Sequence, residues 1–162
     1  MEQLSIFSSP YKYIIDTSSL LSQKHDRAYR RNVFKGQWEK TDEYIVNQVI
    51  VTCEDVEAEI GDKEVIEHFK RLCPVVLPID YDIQENVRKI VTENPKMIEF
   101  TANGKGSSSG DAFLIATAMK YNLVVVTQEN SSSPRKIPQI CIKYGIESIS
   151  IIDLWEREGW NF

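Results

Sequence analysis

The sequence predicts an α/β fold with a central, mostly parallel sheet, and three observations lead there. The runs Tyr13-Ile14-Ile15, Val49-Ile50-Val51-Thr52 and Leu123-Val124-Val125-Val126-Thr127 are apolar almost throughout, as strands buried on both faces are. Stretches with helical spacing separate these runs, which is the alternation that builds a parallel sheet. The 162 residues suit one domain with a sizeable core, and no break in composition divides the chain, so residues 1–162 are read as a single unit.

Each element follows from local chemistry. Tyr13-Ile14-Ile15 is a strand that ends at Asp16. Residues 26–40 set Val33, Phe34 and Trp38 among charges at helical spacing and are expected to be a helix. After the second strand, Cys53–Ile60 reads as a helix stopped at Gly61, and Asp62 offers a cap for the next, Lys63–Leu72. Pro74-Val75-Val76-Leu77-Pro78 is fenced by prolines, which suits an edge strand or an extended link. Tyr81–Thr92 is a helix ended by Pro95, and residues 101–110, rich in Gly and Ser, form a flexible loop. A helix over Asp111–Tyr121 leads into the strongest strand, Leu123–Thr127. A polar loop follows over Gln128–Lys136, then a short helix over Ile137–Tyr144. Ser148–Ile152 is the last strand, and Asp153–Glu158 a final helical turn.

Composition narrows the function. Apolar residues make up 42% and charged residues 27%, ordinary for a globular protein. No stretch approaches the roughly 20 apolar residues that span a bilayer, and MEQLSIFSSPYKY lacks the basic start and apolar core of a secretory signal, so a cytoplasmic location and no membrane partner are expected. Cys53, Cys73 and Cys141 are far apart and odd in number, which argues against zinc or disulfides and for small buried hydrophobes. His25 and His68 are the only histidines. The net charge of -5 does not by itself point to nucleic acid, although carboxylates that hold cations would contribute to it. Lys24, Arg27, Arg30, Arg31 and Lys35 cluster and read as a solvated helix face.

Ligands of open α/β sheets bind at the carboxyl ends of the strands. Asp16 and Glu129 both fall there, although a helix cap or a loop acid would look the same. Asp111 heads the stripe Asp111, Leu114, Ile115 and Ala118, at the spacing of the face a helix buries. The helix dipole favours an anion there by about 0.3–1 kcal/mol, so capping is an alternative. A buried carboxylate nevertheless needs a partner, which a divalent cation would supply. In Val56-Glu57-Ala58-Glu59-Ile60 both acids flank the apolar stripe of Cys53, Val56 and Ile60, and helical geometry does not choose between Glu57 and Glu59. Oxygen ligands of this kind suit Mg²⁺ or Mn²⁺. Such ions, paired about 3.5–4 Å apart, can activate water for in-line phosphoryl displacement.

The motifs Tyr13-Ile14-Ile15-Asp16-Thr17-Ser18, Val56-x-x-Glu59-Ile60, Asp111-x-x-Leu114-Ile115-Ala116-x-Ala118 and Val125-Val126-Thr127-x-Glu129, with Lys136–Cys141 and Tyr144-Gly145-Ile146, resemble the PIN-domain family over about residues 12–153. The resemblance is to a bacterial and phage branch of that family, which includes many toxin ribonucleases. It implies a three-layer α/β/α fold with strand order 3-2-1-4-5, and Asp16, Glu59 and Asp111 as core ligands of Mg²⁺ or Mn²⁺. Glu59 is preferred to Glu57 because relatives place their acid just before Leu or Ile. Glu129 stands where many relatives have Asp, and Thr127 or Ser18 would orient a water or a phosphate oxygen. The resemblance further implies an RNA substrate, a homodimer and a cognate antitoxin.

Three functions compete. A metal-dependent endoribonuclease, such as the toxin of a toxin–antitoxin pair, leads. A catalytically inactive PIN-like scaffold that binds RNA or a protein is the alternative, opposed by the presence of all four acids. A haloacid-dehalogenase-type phosphatase comes third, since that chemistry uses Asp-x-Asp and this chain has Asp16-Thr17-Ser18. Gly104-Lys105-Gly106-Ser107 lacks the spacing of a phosphate loop and reads as a loop, with Lys105 free to touch substrate. His25 reads as a surface residue with RNA contact as the alternative. Trp155 and Trp160 are expected to pack on the core or a dimer partner rather than stack on bases.

Overall fold

The computed structural model describes residues 10–95, 109–129 and 137–162. Its five strands, β1 (Tyr13–Ile15), β2 (Ile50–Cys53), β3 (Val76–Leu77), β4 (Val124–Val126) and β5 (Ser148–Ile149), form one parallel sheet in the order β3-β2-β1-β4-β5. The fold class, the strand order and the edge position of the proline-fenced strand are as expected. From β1 the chain adds β2 and β3 on one side, then returns to place β4 on the other. The point where the direction of winding reverses therefore lies between the carboxyl ends of β1 and β4, which is where such sheets bind ligands.

Eight helices in the described residues cover the sheet: α1 (Thr17–Leu21), α2 (Lys35–Val46), α3 (Glu54–Glu59), α4 (Lys63–Arg71), α5 (Tyr81–Glu93), α6 (Ser109–Tyr121), α7 (Ile137–Lys143) and α8 (Ile151–Glu158). Alternation along the short strands divides the core in two. Ile14, Val51 and Val125 pack under α3, α5, α6 and α7, whereas Tyr13, Ile15, Ile50 and Val126 pack under α1, α2, α4 and α8. The result is three layers, helices on both faces of a sheet. No helix among the described residues is long and apolar enough to cross a membrane.

Several expectations need correction. The helix expected over residues 26–40 runs instead from Lys35 to Val46, because Trp38, Thr41 and Ile45 form its buried stripe. Phe34 precedes it, with its ring tilted 5.7 Å from that of Trp155, and Val33 is exposed. The basic cluster is thus a turn-rich segment up to Arg31, with only Lys35 on a helix, where it opens α2. Arg31 is no solvated charge either: its guanidinium donates to Gln23 Oε1 and to both oxygens of Asp42 at 2.7 and 2.9 Å. The short helix α1, read as nothing from Thr-Ser-Ser, forms because Asp16 caps it. β5 stops at Ile149, since Ser150 and Asp153 make a capping box that starts α8 early. Cys53 and Cys141 are buried but Cys73 is exposed, at a positive φ of 51° that follows α4. Trp155 and Trp160 are buried, and the Trp155 indole N–H donates to Thr41 Oγ1 at 3.0 Å. Residues 101–108 and 130–136, with the loops and Lys105 expected there, lie outside the described residues.

Candidate active site

Asp16 is the residue where β1 stops and α1 begins, and it is only 4% exposed. Its extended backbone (φ -89°, ψ 158°) lets the side chain cap the helix, so Oδ1 accepts the Thr17 amide at 2.8 Å. Oδ2 accepts two hydroxyls, Ser18 at 2.7 Å and Thr127 at 2.9 Å. Three donors hold a group that offers roughly four lone-pair directions, so its orientation is fixed and one direction is left over. Both hydroxyls are themselves tied to the neighbouring strand end. Ser18 Oγ accepts the Gln128 amide at 3.0 Å and Thr127 Oγ1 accepts the Glu129 amide at 3.2 Å. On the other side, the Thr17 hydroxyl donates to the Val56 carbonyl of α3 at 3.3 Å. Asp16 is the hub through which β1, β4, α1 and α3 meet.

Asp111 lies in the first turn of α6 and is 6% exposed, in line with the wholly buried Leu114, Ile115 and Ala118. Its helix packs on α3, β2 and β4, so the Asp111 end belongs to the same layer as α3. Glu59 ends α3 and is exposed, whereas Glu57 and Asp55 are half-buried. Burial, and then the Glu54 charge, pushes the Asp55 carboxyl above the usual carboxylate range. Cys53, at the end of β2, is pushed up to about 11, mainly by burial, with the charges of Asp55 and Glu59 adding to it. Glu129 turns towards α7, where its Oε1 accepts the Ile137 amide at 3.1 Å. Together with burial, the larger cause, its charge raises Cys141 to about 12.

The structure joins Asp16 to the Glu129 backbone through Thr127, and it packs the helices of Glu59 and Asp111 against each other. Among the described residues no three His, Cys, Asp or Glu side chains converge closely enough to hold a metal ion as they stand. The donor chemistry, carboxylate and hydroxyl oxygen with no sulfur or imidazole at the hub, fits a hard divalent cation and not zinc. Sequence reasoning missed Asp55, although it precedes Glu59 by four residues and so shares a helix face with it. It also missed Gln128, whose Oε1 accepts the Ile151 amide at 2.8 Å and anchors α8 to the end of β4.

Solved structures share this architecture. VapBC-1 from nontypeable Haemophilus influenzae is 17% identical with a TM-score of 0.56, over 86% of this chain and 98% of that one. FitAcB from Neisseria gonorrhoeae is 13% identical with a TM-score of 0.53, over 86% and 98%. PAE2754 from Pyrobaculum aerophilum is 16% identical with a TM-score of 0.51, over 93% and 98%. No curated protein sequence matches the chain. At these identities the neighbours speak for the fold, and that fold is the PIN-like one the motifs resemble. A family model described as a domain of unknown function (DUF4411) covers residues 13–162, from the first residue of β1 past the end of α8, and the chain belongs to that family.

Proposed function

We propose that this protein is a Mg²⁺- or Mn²⁺-dependent endoribonuclease whose site lies between the carboxyl ends of β1 and β4. The observation that carries the reading is Asp16: a buried carboxylate, oriented by Thr17, Ser18 and Thr127, at the reversal point of the sheet. Asp16 and Asp111 would hold the cation, with Glu59 and Glu129 as the outer ligands and waters completing the shell. Bound there, a divalent cation supplies an activated water and charge for the phosphoryl oxygens. Ser18 and Thr127 keep the Asp16 carboxylate in one rotamer, so that ligand need not reorganise when substrate arrives. The toxin–antitoxin neighbours support one further part of the reading, a small antitoxin as partner; the homodimer belongs to the reading through the family resemblance alone. The test is cleavage of labelled RNA on a gel. Asp16→Asn and Asp111→Asn should each abolish metal-dependent cutting and leave the circular dichroism spectrum unchanged. Either variant cutting at the wild-type rate would sink the assignment.

One observation favours a second reading, a PIN-like scaffold that binds RNA or protein without cutting: no three ligands stand ready among the described residues. Calorimetry with Mn²⁺ separates the two. A nuclease site takes up the ion and loses it in Asp16→Asn, whereas a scaffold takes up none.

A further inference from the structure

Away from the Asp16 hub, a cleft of about 490 Å³ opens between the turn-rich segment after α1 and the outer side of α4. This volume is in the range of small-ligand sites, roughly 300–1,000 Å³. Both histidines of the chain line it, His25 from the turn segment and His68 from α4. Its walls are stiffened by charge pairs. Lys24 reaches across to Asp62, the cap of α4, at 3.2 Å, and Asp42 holds both Arg31 and His68 at 2.7 and 3.0 Å. The Arg31 guanidinium also lies 5.4 Å from the centroid of the Trp38 ring. These groups are spent on the wall. Arg71, His25, Asn32 and Glu64 line the same cleft and carry no hydrogen bond or ion pair from their side chains among the described residues.

The position of the cleft links it to the acids. The turn-segment wall begins at Gln23, two residues past the end of α1 and seven past Asp16. The other wall begins at Asp62, three residues after Glu59. Each wall thus starts within a few residues of a proposed ligand, so a strand that crosses the hub can run on into the cleft. We propose that the cleft is a nucleotide subsite for the RNA strand beside the scissile bond. Arg71 and His25 offer donors to its phosphate, and Asn32 and Glu64 face the edge of its base. A guanidinium matches the oxygens of a phosphate, and RNA is read on the edges of unstacked bases. The mixed lining, a cation with a carboxylate, suits an anionic backbone that carries amine-bearing bases better than it suits a simple polyanion. This inference rests on the nuclease reading above and adds to it where the strand runs.

Fluorescence anisotropy with a labelled single-stranded RNA of about 12 nucleotides tests it, alongside cleavage of that RNA and of a dinucleotide too short to reach the cleft. The double variant His25→Ala/Arg71→Ala removes exposed side chains with no partner to orphan, and its melting temperature should match that of the wild type. It should bind the long RNA about tenfold more weakly, with a log K against log salt slope reduced by about 1, and it should cut the dinucleotide at the wild-type rate. Glu64→Gln should change the preferred base and leave the salt slope alone. If the wild type cuts RNA and the double variant binds and cuts both lengths equally well, the subsite is overturned and the nuclease reading survives. If the wild type binds RNA with an Arg71-dependent slope but cuts neither length, the nuclease reading falls, the subsite beside a scissile bond falls with it, and the cleft is left as an RNA-binding site alone. Poly-glutamate that needs His25 and Arg71 while RNA does not would overturn the subsite in favour of an acidic protein partner.

Discussion

Thr127 shows how much can depend on one hydroxyl. It donates to Asp16 and accepts from Glu129, so Thr127→Val leaves a buried carboxylate and an amide each short of a partner. The expected loss in urea unfolding is about 1–3 kcal/mol, with Thr127→Ser restoring most of it. A loss equally large in Thr127→Ser would point to packing of the methyl group instead. Glu57 and Glu59 pose the sharper question. Helical spacing left them equivalent, and burial ranks Glu57 as the more enclosed and Glu59 as the more open. An open position suits a ligand that must reach into a cleft. Glu59→Gln is therefore expected to lose cleavage by orders of magnitude, because metal-ion stabilisation of the transition state is worth several kcal/mol. Glu57→Gln should shift stability by no more than about 0.5 kcal/mol and leave the rate alone. The reverse result in a gel assay would place the ligand half a turn earlier on α3.

The strands and most helices were legible because burial on both faces leaves an apolar run, and half-burial leaves a stripe. Tyr13-Ile14-Ile15 and Leu114-Ile115-x-x-Ala118 carried those signals without ambiguity. What escaped were elements held by polar contacts. The turns over residues 22–34 depend on Arg31 finding Asp42, and α1 depends on Asp16 as a cap, so neither leaves a periodic trace. Pairing with β4 was likewise invisible for Asp16: Ser18 and Thr127 were expected to orient a water or a phosphate oxygen, whereas both hydroxyls donate to Asp16 Oδ2. The last helix has a similar polar anchor. Glu158 of α8 accepts hydrogen bonds from Tyr13 of β1, Tyr44 of α2 and Lys12. Burial alone would raise its carboxyl, but those bonds outweigh burial and hold it below the ordinary value. The unfolded chain then binds the proton more readily than the folded one. This contribution is complete above the unfolded value of about 4.3 and is lost as pH falls through the lower folded value. Glu158→Gln should flatten the acid limb of stability measured by thermal melts, and an unchanged limb would refute the anchor. At the alkaline end the sign reverses. Tyr44, pushed up to about 12 chiefly by its bond to Glu158, keeps its proton longer folded than unfolded, so its contribution fades as pH climbs past about 10.

For the molecule as a unit, the proposed site predicts a thermodynamic link between cation and fold. An ion that binds only the native state adds RT ln(1 + [L]/Kd), about 2.7 kcal/mol at a hundredfold excess over Kd. Millimolar Mn²⁺ should therefore raise the melting temperature of the wild type and leave Asp16→Asn/Asp111→Asn unmoved; no shift in the wild type would argue against a site built from these acids. The sheet order has a further consequence, in time rather than in space. β1 is the central strand, yet one of its two neighbours is β4, and the Asp16–Thr127 bond closes over 111 residues. Contacts of such long range form late, because the entropy of closing the loop comes before any gain. On a ribosome, Asp16 is made 111 residues before Thr127 and waits for that residue, Glu129 and the β4 backbone to be synthesised. A nascent chain therefore carries an unassembled hub until β4 has been made, and any activity that needs the hub waits for it.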